Sequence, residues 1–207
     1  MKLYLLRHGE CRKRSAEESD PPLTDEGVSQ SEKLSRMLKS ADISVVYYSP
    51  HLRAKQTADI IVSRFGGYGK VLMNENPLIR EKQDPEWFNI ESRRNLPWDI
   101  IKQERLDPDW KMEEGESFNE IKCRINSALD LMIKCHGTNT NVLWVTHNSI
   151  IKFIVSSVVL GRKGEELDLF YSIFDRIEIK RGNYYVIEYK KKHYENNHDW
   201  YLTQGGI

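Results

Sequence analysis

A chain of 207 residues with 39 % apolar side chains is long enough for one domain with a two- or three-layer core. Its 31 basic and 31 acidic side chains cancel, which excludes the strong basic field needed for nonspecific binding to nucleic acid or to an acidic membrane surface, so any anion site must be local. Three cysteines, Cys11, Cys123 and Cys135, form neither an even framework nor a C-x-x-C pair, which argues against a disulfide scaffold and a cysteine-built zinc site and points to a reducing compartment.

Residues 2 to 6 read as a buried strand that ends at Arg7-His8-Gly9-Glu10, delivering an arginine and a histidine to the rim of a sheet. The apolar run before Arg7 is too short for a signal-peptide core. From Leu23-Thr24-Asp25-Glu26-Gly27 onward, Val28, Leu34, Met37 and Leu38 recur at helical spacing, with Thr24 as cap, predicting a helix to about Lys39. Ser44 to Tyr48 is a second strand, stopped by Ser49-Pro50, and Ala54, Ala58, Ile61 and Val62 mark a helix that ends near Gly66-Gly67. Lys70 to Met73 reads as a short strand.

The segment from Asn74 to Asp109 carries Pro77, Pro85, Pro97 and Pro108 and no clean period, so it reads as a surface lid. Ser117 and Glu120 form a capping box for a helix through about Lys134. Val142 to Thr146 is a continuous apolar run, the mark of a strand buried on both faces, and it ends at His147 with a helix beyond. The stretch Ile150 to Leu160 is interrupted by Lys152, Ser156 and Ser157 and falls short of the ~20 residues that span a bilayer, so a soluble, cytoplasmic protein is expected.

Ile173 to Ile179 and Tyr184 to Tyr189 alternate around Lys180-Arg181-Gly182-Asn183, a hairpin signal. The expected fold is therefore α/β, a three-layer sandwich with a mostly parallel sheet flanked by helices and an antiparallel hairpin at the C-terminal edge. Residues 1–190 would form a single domain with the lid insertion at about 74–114, and residues 191–207 a polar, loosely ordered tail.

His8 after the first strand, His147 after the late one, and Arg53 at the start of the second helix would share one rim of such a sheet. With Arg7 they make a compact cationic pocket whose guanidinium forks match the oxygens of a phosphoryl group. Phosphate is the natural ligand.

The ordered segments Leu6-Arg7-His8-Gly9-Glu10, Pro22-Leu23-Thr24-Asp25-Glu26-Gly27, Ser49-Pro50-His51-Leu52-Arg53-Ala54-Lys55-Gln56-Thr57-Ala58, Gly115-Glu116-Ser117 and Val145-Thr146-His147 resemble the motifs of the histidine phosphatase, or phosphoglycerate-mutase-like, superfamily. The resemblance covers roughly residues 1 to 160. It implies that His8 attacks phosphorus and becomes a phosphohistidine that water hydrolyses, while Arg7, Arg53 and His147 hold the phosphoryl oxygens. It implies no cofactor and no metal, since arginines and a histidine supply the positive charge.

The acid that protonates the leaving group in the family lies after the third strand, where Pro77-Leu78-Ile79-Arg80-Glu81 makes Glu81 the candidate. The family's other solution, an Asp after the second histidine, is absent because residue 148 is Asn. Arg12, in Arg12-Lys13-Arg14, is either a solvated turn or a grip on a second anionic group. Trp87, Phe88, Trp98 and Trp110 read as lid packing.

The expected activity is phosphomonoester hydrolysis of a small phosphorylated metabolite or other phosphoester, without nucleic-acid or membrane partners. Two alternatives stand beside it. One is mutase-type phosphoryl transfer, for which the interval Lys82 to Glu114 lacks the extended basic insertion of the resembling mutases; the other is a noncatalytic phosphate-binding module.

Overall fold

The computed structural model describes residues 1–13, 19–66, 70–85, 97–161, 166–191 and 198–205. Six strands, β1 (Lys2–Arg7), β2 (Val45–Tyr48), β3 (Leu72–Glu75), β4 (Asn141–Thr146), β5 (Tyr184–Lys191) and β6 (His198–Gln204), form one sheet in the order β3-β2-β4-β1-β5-β6. The pairs among β1 to β4 are parallel, and β5 and β6 add antiparallel strands at one edge. This is the α/β sandwich expected from the sequence.

Because side chains alternate across a strand, the central strands feed two separate cores. Leu3, Leu5, Val142 and Trp144 face helices α4 (Phe118–His136), α5 (Asn148–Val159) and α6 (Leu167–Arg176), while Tyr4, Leu6, Leu143 and Val145 face α1 (Asp25–Met37) and α2 (Leu52–Arg64). Every residue of β4 from Val142 to Thr146 is buried, which is why its sequence is a continuous apolar run.

The caps form as read. Thr24 Oγ1 accepts from Gly27 N at 3.1 Å, and Ser117 and Glu120 close a capping box at the start of α4. Val28 is exposed, however, because α1 turns Gly27, Ser31 and Leu34 inward and Gly27 lies against the backbone after β1.

Three segments differ from expectation. Trp98–Leu106 is a helix, α3, inside the proline-containing insertion, with no buried residue and therefore no clean apolar period. Residues expected to start a hairpin at Ile173 instead end α6, since Leu167, Phe170, Tyr171 and Phe174 share a helical face; the hairpin lies between β5 and β6. Part of the tail expected to be loose is β6, held by backbone pairing to β5 and by buried Trp200, whose ring stands 5.2 Å from that of Tyr189. Among the described residues no helix is long and apolar enough to cross a membrane.

Candidate active site

Parallel pairing of β1 with β4 sets Arg7 opposite Thr146, so the next residues, His8 and His147, leave the sheet side by side. His8 N donates to Thr146 O at 3.0 Å, and the two imidazole centroids are 5.1 Å apart. Both histidines are buried.

Arg53, in the first turn of α2, reaches between them. Its Nε donates to His8 Nε2 at 3.2 Å, Nη2 lies 3.4 Å from His147 Nδ1, and Nη1 donates to Asp20 Oδ1 at 3.0 Å. A guanidinium only donates and a carbonyl only accepts. His8 Nδ1, 2.7 Å from Gly9 O, must therefore carry the proton, leaving the lone pair on Nε2. Burial lowers the His8 pKa from 6.5 to about 3, with Arg53 the next cause and Arg7 and Arg181 smaller ones, against the opposing pull of Gly9 O. The ring is neutral and its Nε2 is aimed among cations.

Arg7 Nη1 donates to Ile179 O at 2.8 Å, while its Nε is buried with no hydrogen-bond partner among the described residues. Burial and then Arg181 lower the Arg7 pKa, and the charge of Glu81 raises it in part. A buried donor without a partner costs stability and is retained where a ligand satisfies it.

Glu81 follows a one-turn 3₁₀ helix, Pro77–Ile79, and is partly buried. Its Oε1 accepts from Lys82 N at 3.0 Å. Burial of the carboxyl pushes its pKa up; the hydrogen bonds from Lys82 N and Ser149 and the charge of Arg53 pull the other way, and Asp84 adds to the rise. Glu81 thus stands within the field of both Arg7 and Arg53.

The structure thus brings Arg7, His8, Arg53, Glu81 and His147 to one place. Arg12 does not join them: it is exposed, beside the bridge between Cys11 and Leu23, and no described contact brings its side chain to the histidines. Trp98 is exposed at the start of α3, and Arg14, Trp87 and Phe88 lie outside the described residues.

Several contributors were not assigned from sequence. Ser49 Oγ lies 2.7 Å from His147 Nε2, and the His51 ring meets that of His147 edge-on, their centroids 5.0 Å apart; both precede Arg53 within one motif, a signal that was available. Asp20 accepts from Arg53 Nη1 and, at 2.7 Å, from Leu52 N, tying the guanidinium to the start of α2. Thr57 Oγ1 accepts from Gly9 N and donates to Arg53 O, and Arg181 pairs with Glu10 at 3.1 Å on the rim.

Beside Lys82 and Ser149 opens a cavity of about 430 Å³ lined by Phe118, Phe153, Phe170 and Tyr171 among others. Among the described residues no group of three or more His, Cys, Asp or Glu side chains is placed to share a metal ion.

The model of the histidine phosphatase superfamily (branch 1) matches residues 3–198. The probable phosphoglycerate mutase GpmB of Yersinia pestis (strain Pestoides F) is 26 % identical over 174 residues, spanning 77 % of this chain and 75 % of its own length. Among solved structures, Bacillus stearothermophilus YhfR superposes with a TM-score of 0.73 at 22 % identity, covering 98 % of this chain and 95 % of its own. The mycobacterial glucosyl-3-phosphoglycerate phosphatase does so with a TM-score of 0.74 at 18 % identity, covering 99 % and 97 %. These structural likenesses are likenesses of fold.

Proposed function

The chain belongs to the histidine phosphatase superfamily, branch 1, and we propose that it hydrolyses phosphomonoesters through a phosphohistidine formed on His8. The observation that carries this reading is the neutral His8 ring, its Nε2 lone pair held 3.2 Å from Arg53 Nε within a cluster of cations.

The incoming phosphoryl group takes over the donors of Arg7 and Arg53, including the unpartnered Arg7 Nε, and the edge of His147. His8 Nε2 attacks phosphorus, the P–N bond forms, and the bond to the ester oxygen breaks. Glu81 gives its proton to that oxygen, which leaves as the alcohol. The carboxylate then takes a proton from water as the water oxygen attacks phosphorus; the P–N bond breaks, phosphate departs, and both side chains return to their starting states. A donor must be protonated near neutral pH, which the upward shift at Glu81 favours. Dividing one displacement into two lets the same oriented cations serve both.

The curated relatives named as probable phosphoglycerate mutases favour a second reading, in which phosphate returns to a bound sugar acid. The interval Lys82 to Glu114 lacks the extended basic insertion expected of such mutases, so hydrolysis is the preferred reading.

A panel of phosphoesters tests this in wild type and His8→Ala. Phosphate release by the wild type, its loss in the variant, and an acid-labile phosphoenzyme trapped during turnover are the expected results. Undiminished release by His8→Ala refutes the nucleophile. Conversion of 3-phosphoglycerate to 2-phosphoglycerate without phosphate release supports the mutase, and phosphate binding without turnover of any ester supports a noncatalytic module.

A further inference from the structure

Glu81 lies on a stretch of irregular chain, and the hydrogen bonds around that stretch are unusually non-local. The carbonyls of three consecutive residues before Glu81 are all taken by side chains from distant elements. Arg124 Nη1, on α4, donates to Leu78 O at 2.8 Å and to Arg80 O at 3.1 Å, and Thr146 Oγ1, at the end of β4, donates to Ile79 O at 2.6 Å.

Glu116 grips the same stretch from both sides of Glu81. Its Oε1 accepts from Arg80 Nη2 at 2.7 Å and its Oε2 from Gln83 N at 2.9 Å, while its own N donates to Gln83 O at 2.9 Å. Arg124 closes the arrangement as a two-point fork, Nε to Oε1 at 2.9 Å and Nη2 to Oε2 at 2.8 Å. Gly115 permits the approach, since a Cβ there would lie 3.1 Å from Met112 O and 3.4 Å from Gln83 O.

Both Glu116 and Arg124 are buried, at 8 % exposure each. A buried ion pair seldom repays its desolvation in stability compared with well-packed apolar residues of the same volume. What this one supplies is direction: every remaining donor and acceptor of the pair that is described ends on residues 78, 80 or 83.

We propose that Glu116 and Arg124 are positioning residues for the proton donor, clamping residues 78–83 so that the Glu81 carboxyl is presented to the leaving-group oxygen. The inference rests on the reading of Glu81 as that donor. Neither residue touches the phosphoryl group; they act through the backbone on which Glu81 is carried. Misplacement of an acid by about 1 Å is enough to cost on the order of a hundredfold.

The readout is the dependence on leaving group. An alkyl phosphate expels an alkoxide that must be protonated, whereas p-nitrophenyl phosphate expels a phenolate stable without a proton. In Arg124→Lys, which keeps a cation beside Glu116 but cannot span its partners, kcat/KM for the alkyl ester should fall by about 10- to 100-fold and for p-nitrophenyl phosphate by only about threefold. Glu116→Gln should show the same selectivity, and Glu81→Gln a larger version of it. Comparing the two substrates on one preparation cancels any difference in folded fraction. Equal losses on both substrates in Arg124→Lys and Glu116→Gln, beside a selective loss in Glu81→Gln, overturn the positioning role alone. Absence of selectivity in Glu81→Gln overturns the donor assignment and, with it, the inference.

Discussion

Acidification from about pH 6.5 to about pH 4.5 should remove about 2 kcal/mol of folding stability through His8 alone. The side chain is 6 % exposed, and its pKa falls from 6.5 to about 3, chiefly through burial and then through Arg53. Above 6.5 the ring is neutral in both the folded and the unfolded chain, so His8 contributes no slope there. As the pH drops below that value the unfolded chain takes up a proton that the folded protein refuses. Stability is therefore lost at about 1.4 kcal/mol per pH unit until the folded value is reached, for a full loss of about 5 kcal/mol. Glu81 works in the opposite direction. Its folded pKa is raised, so its contribution is present below the ordinary carboxylate value and is lost as pH rises through the folded value; on acidification it offsets part of the His8 loss. Urea unfolding followed by circular dichroism at closely spaced pH values, for wild type and His8→Asn, isolates the histidine as the difference between the two curves. Parallel curves for the two proteins would refute the reasoning. The same shift keeps the His8 ring neutral throughout the physiological range, so the proposed role as nucleophile requires no activating deprotonation.

Gly27→Ala should destabilise the fold although alanine is the better helix former by about 1 kcal/mol. A Cβ at residue 27 would lie 2.0 Å from Glu10 O and 2.8 Å from Glu10 N, backbone atoms that carry the turn after His8, and overpacking of this kind costs about 1–3 kcal/mol. Chemical denaturation reads the sign, and a variant at least as stable as wild type contradicts the packing argument. Arg7→Lys keeps the charge but removes the buried Nε donor and the fork, so inorganic phosphate should weaken as a competitive inhibitor by about 10- to 100-fold, the equivalent of one charge-assisted hydrogen bond. An unchanged inhibition constant would mean that Arg7 Nε does not face the phosphoryl group.

What could be read in advance was local. The cap at Thr24, the box at Ser117 and Glu120, and the buried run of β4 each declare themselves within a few residues, and each forms where expected. The misread elements depend on partners far along the chain. The alternation beginning at Ile173 overlaps the helical face of Leu167, Phe170, Tyr171 and Phe174, and that face wins because its rings pack with Phe118 and Phe153 from two other helices. β6 is an edge strand that turns a single tryptophan deeply inward, a weak pattern by itself, and it exists because β5 offers it a ladder.

The same distinction divides the site. Arg7, His8 and His147 stand at the ends of paired strands and Arg53 at the start of a helix, so regular backbone carries them to one place, and a reader who recognises the strands can see the pocket. Glu81 has no such support. Its surroundings come from Arg124, Glu116, Thr146 and Ser149, every one of them more than thirty residues away, the first three bonded to residues 78, 79, 80 and 83 beside it and Ser149 to Glu81 itself, through side-chain hydrogen bonds that no periodicity announces. Asp20 and Arg181 likewise set the charge around Arg53 and His8 from loops whose sequence announced no part in the site. Holding a phosphoryl group asks for fixed cations at a fixed spacing, which strand ends supply. Protonating a leaving group asks for a carboxyl placed against an oxygen whose position varies with the ester, and in the mechanism proposed here that placement falls to a separate, irregular and side-chain-clamped segment. The half of the candidate site proposed to bind the anion was therefore legible as a motif on regular backbone, while Glu81 was named through the family resemblance alone and the residues that hold its segment become legible only through their contacts.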